Sequence, residues 1–367
     1  MAMFDAAIKP PADPIAAVTH PDPWPYYRQV RETRPLYFDA GLRLWVASSQ
    51  AAINDALQHP ALTVRPPGEA VPAALQGSAA GAVFARLVRM TDGDFHAAHK
   101  PAVVKAARRW SLEDVGRASQ AAAADLLPRL GANALLGRFP VQTMARLLAV
   151  PDSELDATCA RVQAFVQGIA PGASEAAVAL ASEAAQALMT QGETQGLDAV
   201  QAANRIALMQ QSLDATAGLL GHTVLMLARH PQLAAAADAS LAAIRDFVTE
   251  VERHQAPIQN TRRFAAQALI LAGQTIEKGQ GVLLLLAAGN RDEALNPQPD
   301  TFNPQRSGGR SLGFGDGTHA CPGAAIAIET VAAGLRCIRG AGQFDCCFGS
   351  FAGFRPLGNA RIPLFEE

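Results

Sequence analysis

Ten residues read Phe314-Gly315-Asp316-Gly317-Thr318-His319-Ala320-Cys321-Pro322-Gly323, and an apolar, alanine-rich run with helical spacing, 324–338, follows them. A cysteine just before a helix has its thiolate stabilised by the helix dipole and by free backbone N–H groups. The glycines let the backbone pass close beneath a flat ligand, and Pro322 suits the first turn of a helix. The pattern predicts a loop that presents the Cys321 thiolate to the iron of a haem.

The same ten residues match the haem-binding signature of the cytochrome P450 family, Phe-Gly-x-Gly-x-His-x-Cys-x-Gly, at every fixed position. The resemblance implies that Cys321 is the axial ligand of haem b (iron protoporphyrin IX) and that His319 lies near a haem propionate. It also implies that Phe314, Gly315 and Gly323 border the cofactor. The alternative interpretation is a glycine turn with a free cysteine that only packs in the core.

Composition predicts a protein with a large apolar core. Of the 367 residues, 49% are hydrophobic and 17% are charged, and the net charge of -2 does not suggest nucleic-acid binding. The longest apolar run, near 282–288, is too short to span a bilayer, and the N-terminus does not resemble a secretory signal. We therefore expect a cytoplasmic protein with no membrane partner, whose five cysteines are reduced.

Local signals predict a mainly α protein with a small β part. Residues 1–23 are proline-rich and read as an extended arm, and a β-hairpin is predicted within 36–46. Ser48 or Ser49 is expected to cap the next helix. Helical patterns dominate 82–241, and strand signals appear after residue 255. No linker divides residues 1–367, so we expect a single large haem domain. The resemblance, which covers roughly 23–365, implies the same arrangement, the cytochrome P450 fold.

Glu250 and Arg253 form a Glu-x-x-Arg pair on one face of a predicted helix. Such pairs are common on solvated surfaces, where they contribute little. The resemblance implies a different role, a buried ion network that supports the cysteine loop. The family usually adds a second arginine, but Thr301 stands in that place. We therefore expect either a reduced network or a substitution by Arg306.

Haem carries two propionates, which cationic side chains bind well. The resemblance implies that Arg263 binds one of them, and that His96 and Lys100 correspond to the family's His-x-x-x-Arg pair. Residues four apart on a helix point the same way. Lys100 replaces the usual arginine and so offers a point charge instead of a fork. The alternatives are a capping or surface histidine and a solvated lysine.

The long helix before His230-Pro231 departs from the family pattern. The family's Ala-Gly-x-Asp/Glu-Thr aligns with Gln211-Ser212-Leu213-Asp214-Ala215, which keeps the acid and lacks the threonine. The resemblance implies that Asp214 delivers protons to the catalytic centre. Thr216 is turned about 100° around the helix from residue 215 and can take part only if the helix bulges. Otherwise water, Gln210, Gln211 or the substrate completes the relay, and a purely structural Asp214 is the alternative.

The resemblance implies a soluble, bacterial-type haem-thiolate monooxygenase that oxidises a small organic molecule. It would use O₂ and electrons from a separate ferredoxin-type donor with its reductase. A short basic run, Lys105, Arg108 and Arg109, would suit an acidic donor. The missing threonine leaves open a peroxide-driven or non-hydroxylating enzyme. A haem sensor without turnover is the alternative from another class.

Overall fold

The computed structural model describes residues 9–340 and 347–366. Residues 1–8 of the predicted arm and Cys346 therefore lie outside the described residues. The described part of the arm is not wholly extended, because Ala16–Thr19 forms a 3₁₀ helix with Ala17 and Val18 buried. Arg361 fixes this segment by donating hydrogen bonds of 2.7 Å each to the carbonyl oxygens of Val18 and His20.

Helices make up most of the described chain, as the sequence predicts. In chain order the α-helices are α1 (Trp24–Thr33), α2 (Gln50–Gln58), α3 (Ala79–Phe84), α4 (Gly93–Ala107), α5 (Leu112–Leu126), α6 (Ala132–Leu147), α7 (Leu155–Gly168), α8 (Glu175–Glu193), α9 (Ala199–Arg229), α10 (Pro231–Ala237), α11 (Leu241–Gln255), α12 (Leu286–Asn290) and α13 (Ala324–Gly340). Their starts follow local rules. Ser49 caps α2 by accepting a hydrogen bond from the backbone of Ala52, and Asp198 with Gln201 forms a capping box on α9.

The β part is small and comprises three sheets in the described residues. The strands are β1 (Leu36–Asp39), β2 (Leu44–Ala47), β3 (Leu62–Thr63), β4 (Thr261–Ala265), β5 (Leu269–Leu271), β6 (Gln274–Ile276), β7 (Gly281–Leu284), β8 (Phe351–Phe354) and β9 (Pro363–Phe365). The main sheet has the order β1-β2-β7-β4-β3, in which only the β2–β7 pair is parallel. The β1–β2 pairing, with Leu36 opposite Ala47, confirms the predicted hairpin.

The helix α9 runs through the middle of the molecule and packs into two apolar clusters. Its C-terminal half joins α5, α6, α11 and α13 in one cluster, and its N-terminal half joins α7 and α8 in the other. Ile326, five residues beyond Cys321, packs in the second cluster with Met209 and Leu213 of α9. The cysteine loop is thereby held against the middle of α9.

One segment of the described chain, Gly317–Gly340, is long and apolar enough to cross a membrane by length and composition. Half of its most apolar window is buried inside the protein. Val331, Ala332 and Leu335 of this segment belong to the apolar cluster around α9. Its apolar character is therefore accounted for by packing in the core.

Candidate functional site

The cysteine loop has the tight backbone that its glycines predict. Gly315 and Gly317 have φ values of +68° and +65°, a region that other residues rarely adopt. The backbone N–H of Cys321 donates to the carbonyl of Phe314 at 2.8 Å, which closes the loop. The helix α13 begins only at Ala324, so Pro322 lies in the preceding turn and not in the first helical turn that the sequence suggested.

The side chain of Cys321 is exposed, but its surroundings do not by themselves favour a thiolate. Burial of the sulfur by the surrounding protein raises the pKa of the Cys321 thiol, although the Gly323 backbone N–H and Lys100 oppose that rise. Desolvation therefore outweighs the hydrogen bond and the positive charge that favour the thiolate. A bound metal ion deprotonates a coordinating thiol outright, so the thiolate form would accompany metal binding.

A group of nitrogen-bearing side chains surrounds the cysteine loop. The ammonium of Lys100 donates to the carbonyl of Ala320 at 3.0 Å, which ties α4 to the residue before the cysteine. The rings of His96 and His319 lie against each other, with centroids 4.4 Å apart. Arg263 on β4 is buried and donates to the carbonyl of Arg262 at 2.9 Å. The structure thus brings His96, Lys100 and His319 together at the loop. Arg263 interacts electrostatically with a carboxylate that contacts His319.

That carboxylate belongs to Asp92, which the sequence reasoning did not single out. Its Oδ1 lies 3.0 Å from Nε2 of His319, and its Oδ2 accepts from the backbone of Val64 at 2.9 Å. Burial opposes ionisation of Asp92, but the hydrogen bonds from His319 and Val64 lower its pKa, and Arg263 adds to this effect. The signal was present in the sequence, because Asp92 stands four residues before His96. Asp92 positions the ring of His319.

His96 carries a polar atom without a partner. Its side chain is buried, and its Nε2 makes no hydrogen bond within the described residues. Burial, with smaller contributions from His319 and Lys100, lowers the pKa of His96 to about 4, so its imidazole is neutral at physiological pH. A buried polar atom without a partner is uncommon in proteins and points to a missing ligand or water.

The middle of α9 opens to solvent between two buried halves. Residues 202–207 and 216–227 are buried throughout, whereas Gln211 is exposed and Asp214 and Ala215 are partly exposed. The helix is regular over this stretch and shows no π-bulge. Thr216 is buried, as expected for a side chain turned away from residue 215. The open stretch lies on the same segment of α9 as Met209 and Leu213, which share an apolar cluster with Ile326 of α13.

Asp214 is electrostatically linked to Arg355, which lies just after β8. Burial raises the pKa of the Asp214 carboxyl, and Arg355 opposes this rise. The guanidinium of Arg355 also donates to the carbonyl of Asn133 on α6 at 3.0 Å. Arg355 was not predicted, because it is 141 positions away from Asp214 in the sequence and no local pattern joins them.

The Glu250–Arg253 pair is fully buried and bidentate. The two hydrogen bonds from Arg253 to Glu250 measure 2.8 and 2.7 Å. Arg253 also donates to the carbonyl of Pro299 at 2.9 Å, and Arg306 approaches Glu250 at 3.4 Å. Arg306 therefore takes the place of the missing arginine. Thr301 contributes its carbonyl oxygen, which accepts from Arg306 at 2.7 Å.

A second buried carboxylate, Glu252, lies beneath the cysteine loop. A Cβ on Gly313 would stand 2.1 Å from its Oε1, so only glycine fits there. Burial raises the pKa of Glu252 to about 7, and interactions with Ser311 and Arg253 oppose the rise. The sequence analysis passed over Glu252, since it lies between the two residues of the Glu-x-x-Arg pair.

Comparison with known proteins shows what this arrangement is similar to. The family model described as "Cytochrome P450" matches residues 222–338, which include Glu250, Arg253 and Cys321. A crystal structure of P450BioI in complex with hexadec-9Z-enoic acid ligated acyl carrier protein has a TM-score of 0.79 at 21% identity, covering 94% of this chain and 98% of that chain. A structure of P450 RauA with a biosynthetic intermediate of aurachin RE has a TM-score of 0.77 at 20% identity, with 97% of both chains covered.

Curated relatives match over a shorter stretch. A biotin biosynthesis cytochrome P450 of Bacillus subtilis (strain 168) is 36% identical over 114 residues, which are 31% of this chain and 29% of that protein. Linalool 8-monooxygenase of Pseudomonas putida is 32% identical over 114 residues, 31% of this chain and 28% of that protein. These alignments thus span less than a third of either relative. Residues 222–338 are thus similar to the cytochrome P450 family, and the solved structures show that the chain has the cytochrome P450 fold.

Proposed function

We propose that this chain is a haem-thiolate monooxygenase that oxidises a small organic substrate with O₂. One observation carries the proposal: an accessible cysteine, Cys321, lies beside a cluster of nitrogen-bearing side chains, at a loop held against the opened middle of α9. A thiol and a set of N–H donors on one side of a cleft are what a haem with two carboxylates requires.

The described residues fit the cofactor. Haem needs a flat space, one axial ligand and partners for its propionates. Gly315 and Gly317 keep side chains away from the loop surface, and Cys321 offers the ligand. The unpartnered Nε2 of His96 and the charge of Lys100 are suited to a carboxylate. Haem b, bound without a covalent link, is the form that we propose.

Each residue has a distinct role in this account. Bound haem supplies the iron at which oxygen is activated. Cys321 would hold the iron as a thiolate, while Lys100, Arg263, His96 and His319 would bind the propionates. Phe314 and Gly323 would border the cofactor, as the resemblance implies.

Proton delivery would rest on the opened stretch of α9. A general acid needs a pKa near the working pH, and burial moves the pKa of Asp214 in that direction. Ala215 has no hydroxyl, and the regular helix keeps Thr216 in the core. Gln210 is the better candidate to complete the relay, because its Oε1 is buried without a partner in the described residues. Gln211 already donates to the carbonyl of Ala207.

Electrons would come from outside the chain. We propose a ferredoxin-type donor with its reductase, docking near the end of α4, where Lys105, Arg108 and Arg109 are all exposed. This basic group comprises Lys105 in the last turn of α4 and two arginines just beyond the end of that helix. Positive charge there would attract an acidic donor and raise the association rate. We further propose that residues 1–367 form one domain and act in the cytoplasm.

The cofactor assignment is tested by comparing two arginines. Arg263→Gln is expected to weaken haem retention about 10- to 100-fold, because a hydrogen bond to a charged group contributes about 1.5–3 kcal/mol. Arg109→Gln is the control, since Arg109 is exposed and only stacks on Trp110. Haem content is measured after gel filtration. Equal haem content in the two variants would contradict the role of Arg263.

The absence of a hydroxyl at Ala215 favours a second candidate, a peroxide-driven haem-thiolate enzyme. The two functions differ in the oxidant, so product yield is compared with NAD(P)H plus a ferredoxin and reductase, and with H₂O₂ alone. Product formed only with the electron donor supports the monooxygenase. Product formed faster with H₂O₂ alone supports the second candidate, and substrate-induced spectral change without any product would indicate a sensor.

A further inference from the structure

The turn that precedes α4 is held between α9 and the cysteine loop. It is a 3₁₀ helix, Val88–Met90. The backbone N–H of Val88 donates to Oδ1 of Asn204 on α9 at 3.0 Å. At the other end, Asp92 contacts His319 of the cysteine loop at 3.0 Å. Arg89 stands in the middle of this turn, between the contact with α9 and the contact with the cysteine loop.

Arg89 is a guanidinium without a partner. Its Nε is buried with no hydrogen bond, and within residues 9–340 and 347–366 no carboxylate pairs with it and no carbonyl accepts from it. Burial lowers the pKa of Arg89 to about 10, so the group stays charged at physiological pH. The residue as a whole is nevertheless only partly buried. A desolvated charge without a counter-ion lowers stability, so its presence calls for an anion from outside the chain.

The residues that flank Arg89 are apolar: Leu87 belongs to the cluster that contains Met209 and Leu213 of α9, and Met90 packs against that cluster. Partly buried hydrophobic side chains from four segments pack on the same cluster as Leu87, which stands just before the turn. They are Val71, Met90, Val166, Ile169 and Leu208. Leu208 begins the stretch of α9 that opens to solvent. The turn thus places a planar cation next to apolar segments, and the N–H fork of that cation matches the two oxygens of a carboxylate.

We propose that Arg89 binds the carboxylate of the substrate, so that the substrate is an apolar organic acid. This inference rests on the proposed function, since it takes the cleft beside Cys321 as the substrate site. The residues assigned to the haem propionates lie on α4, β4 and the cysteine loop, whereas Arg89 lies on the turn that faces α9. A carboxylate held there would direct the apolar remainder of the molecule along the hydrophobic side chains.

The test uses haem-loaded protein and two probes of equal chain length, dodecanoate and dodecan-1-ol, with binding measured by calorimetry. Arg89→Gln is expected to weaken dodecanoate binding about 10- to 100-fold and to leave dodecan-1-ol binding unchanged. Arg89→Lys, which keeps the charge, is expected to recover part of the affinity. Arg86→Gln is the matched control, since Arg86 belongs to the same loop but donates to the carbonyl of Ala82 at the surface.

A stability measurement distinguishes a loss of the binding site from a loss of the fold. Arg89→Leu is expected to raise the melting temperature of the ligand-free protein, because it removes an unpaired, partly buried charge. Equal dodecanoate affinity in Arg89→Gln and Arg86→Gln would overturn the proposal. Loss of haem in Arg89→Gln without a change in the preference for dodecanoate over dodecan-1-ol would also overturn it, and would assign Arg89 to a propionate. A parent protein that fails to bind haem would instead contradict the proposed function.

Discussion

Arg253→Ala is expected to lower the free energy of unfolding by about 3–5 kcal/mol, because it leaves the buried carboxylate of Glu250 without its bidentate partner. Arg253 also binds the carbonyl oxygen of Pro299, so the segment before the cysteine loop should loosen and haem should be lost. Urea unfolding and haem content measure the two effects. The matched control is Arg117→Ala, because Arg117 is 61% exposed and pairs with Glu113 on a helix surface. Its cost should stay below about 1 kcal/mol.

Replacing Glu252, the residue before Arg253, should raise the free energy of unfolding instead of lowering it. The pKa of Glu252 is about 7 in the folded protein against an ordinary value of 4.5, so folding favours the neutral carboxyl. Its contribution to stability is therefore fully present below pH 4.5 and is lost as the pH rises through 7. Glu252→Gln should stabilise the protein by about 3 kcal/mol at pH 8 and by much less at pH 5. If Arg253→Ala and Arg117→Ala cost the same, or Glu252→Gln destabilises at pH 8, the buried network is wrongly described.

The second large effect concerns proton delivery. Asp214→Asn is expected to reduce product formation on the order of 100-fold, because it removes the only acid on the opened stretch of α9. Thr216→Val should change product formation little, since Thr216 is buried and the helix is regular there. The measurement is product and H₂O₂ formed per NAD(P)H consumed, with the parent beside both variants.

Asp214→Asn should also divert electrons to H₂O₂, because a centre that lacks its proton donor releases reduced oxygen instead of using it. The amount of product per NAD(P)H consumed should be high with the true substrate and low with other substrates. The reason is that a polar group on the true substrate can complete the proton relay in place of a hydroxyl. A large loss in Thr216→Val with a near-normal Asp214→Asn would contradict this account. It would show that the helix bulges during turnover and brings Thr216 into the relay.

Local rules explain why much of the fold was predictable. The Ser49 cap, the β1–β2 hairpin and the glycines of the cysteine loop depend on residues a few positions apart, so the sequence signals them directly. The dominance of helices with a small β part was likewise predictable from alanine-rich apolar periodicity. The start of α13 at Ala324 differed by two residues from the expectation for Pro322, because the turn that exposes Cys321 continues through Gly323.

The charged partners were harder to predict, because tertiary packing brings them together. Arg355 reaches Asp214, and Arg306 reaches Glu250, across long stretches of chain. The sequence predicted only the contact between Arg306 and Glu250. It did so because Thr301 stands where the family pattern usually has an arginine. Arg89 escaped notice for another reason: a missing partner is visible only when every neighbour is known. The roles of the haem-binding residues and of Asp214 and Thr216 stay predictions.

The central claim is that Cys321 holds haem iron as a thiolate, and the absorption spectrum of the reduced protein with CO tests it most directly. The parent is expected to show the Soret band diagnostic of thiolate ligation, and Cys321→Ala is expected to lose it. Cys337→Ala is the control, because Cys337 is a partly buried thiol on α13 away from the loop, and it should keep the band. An unchanged thiolate band in Cys321→Ala, or its absence in a haem-replete parent, would contradict the account.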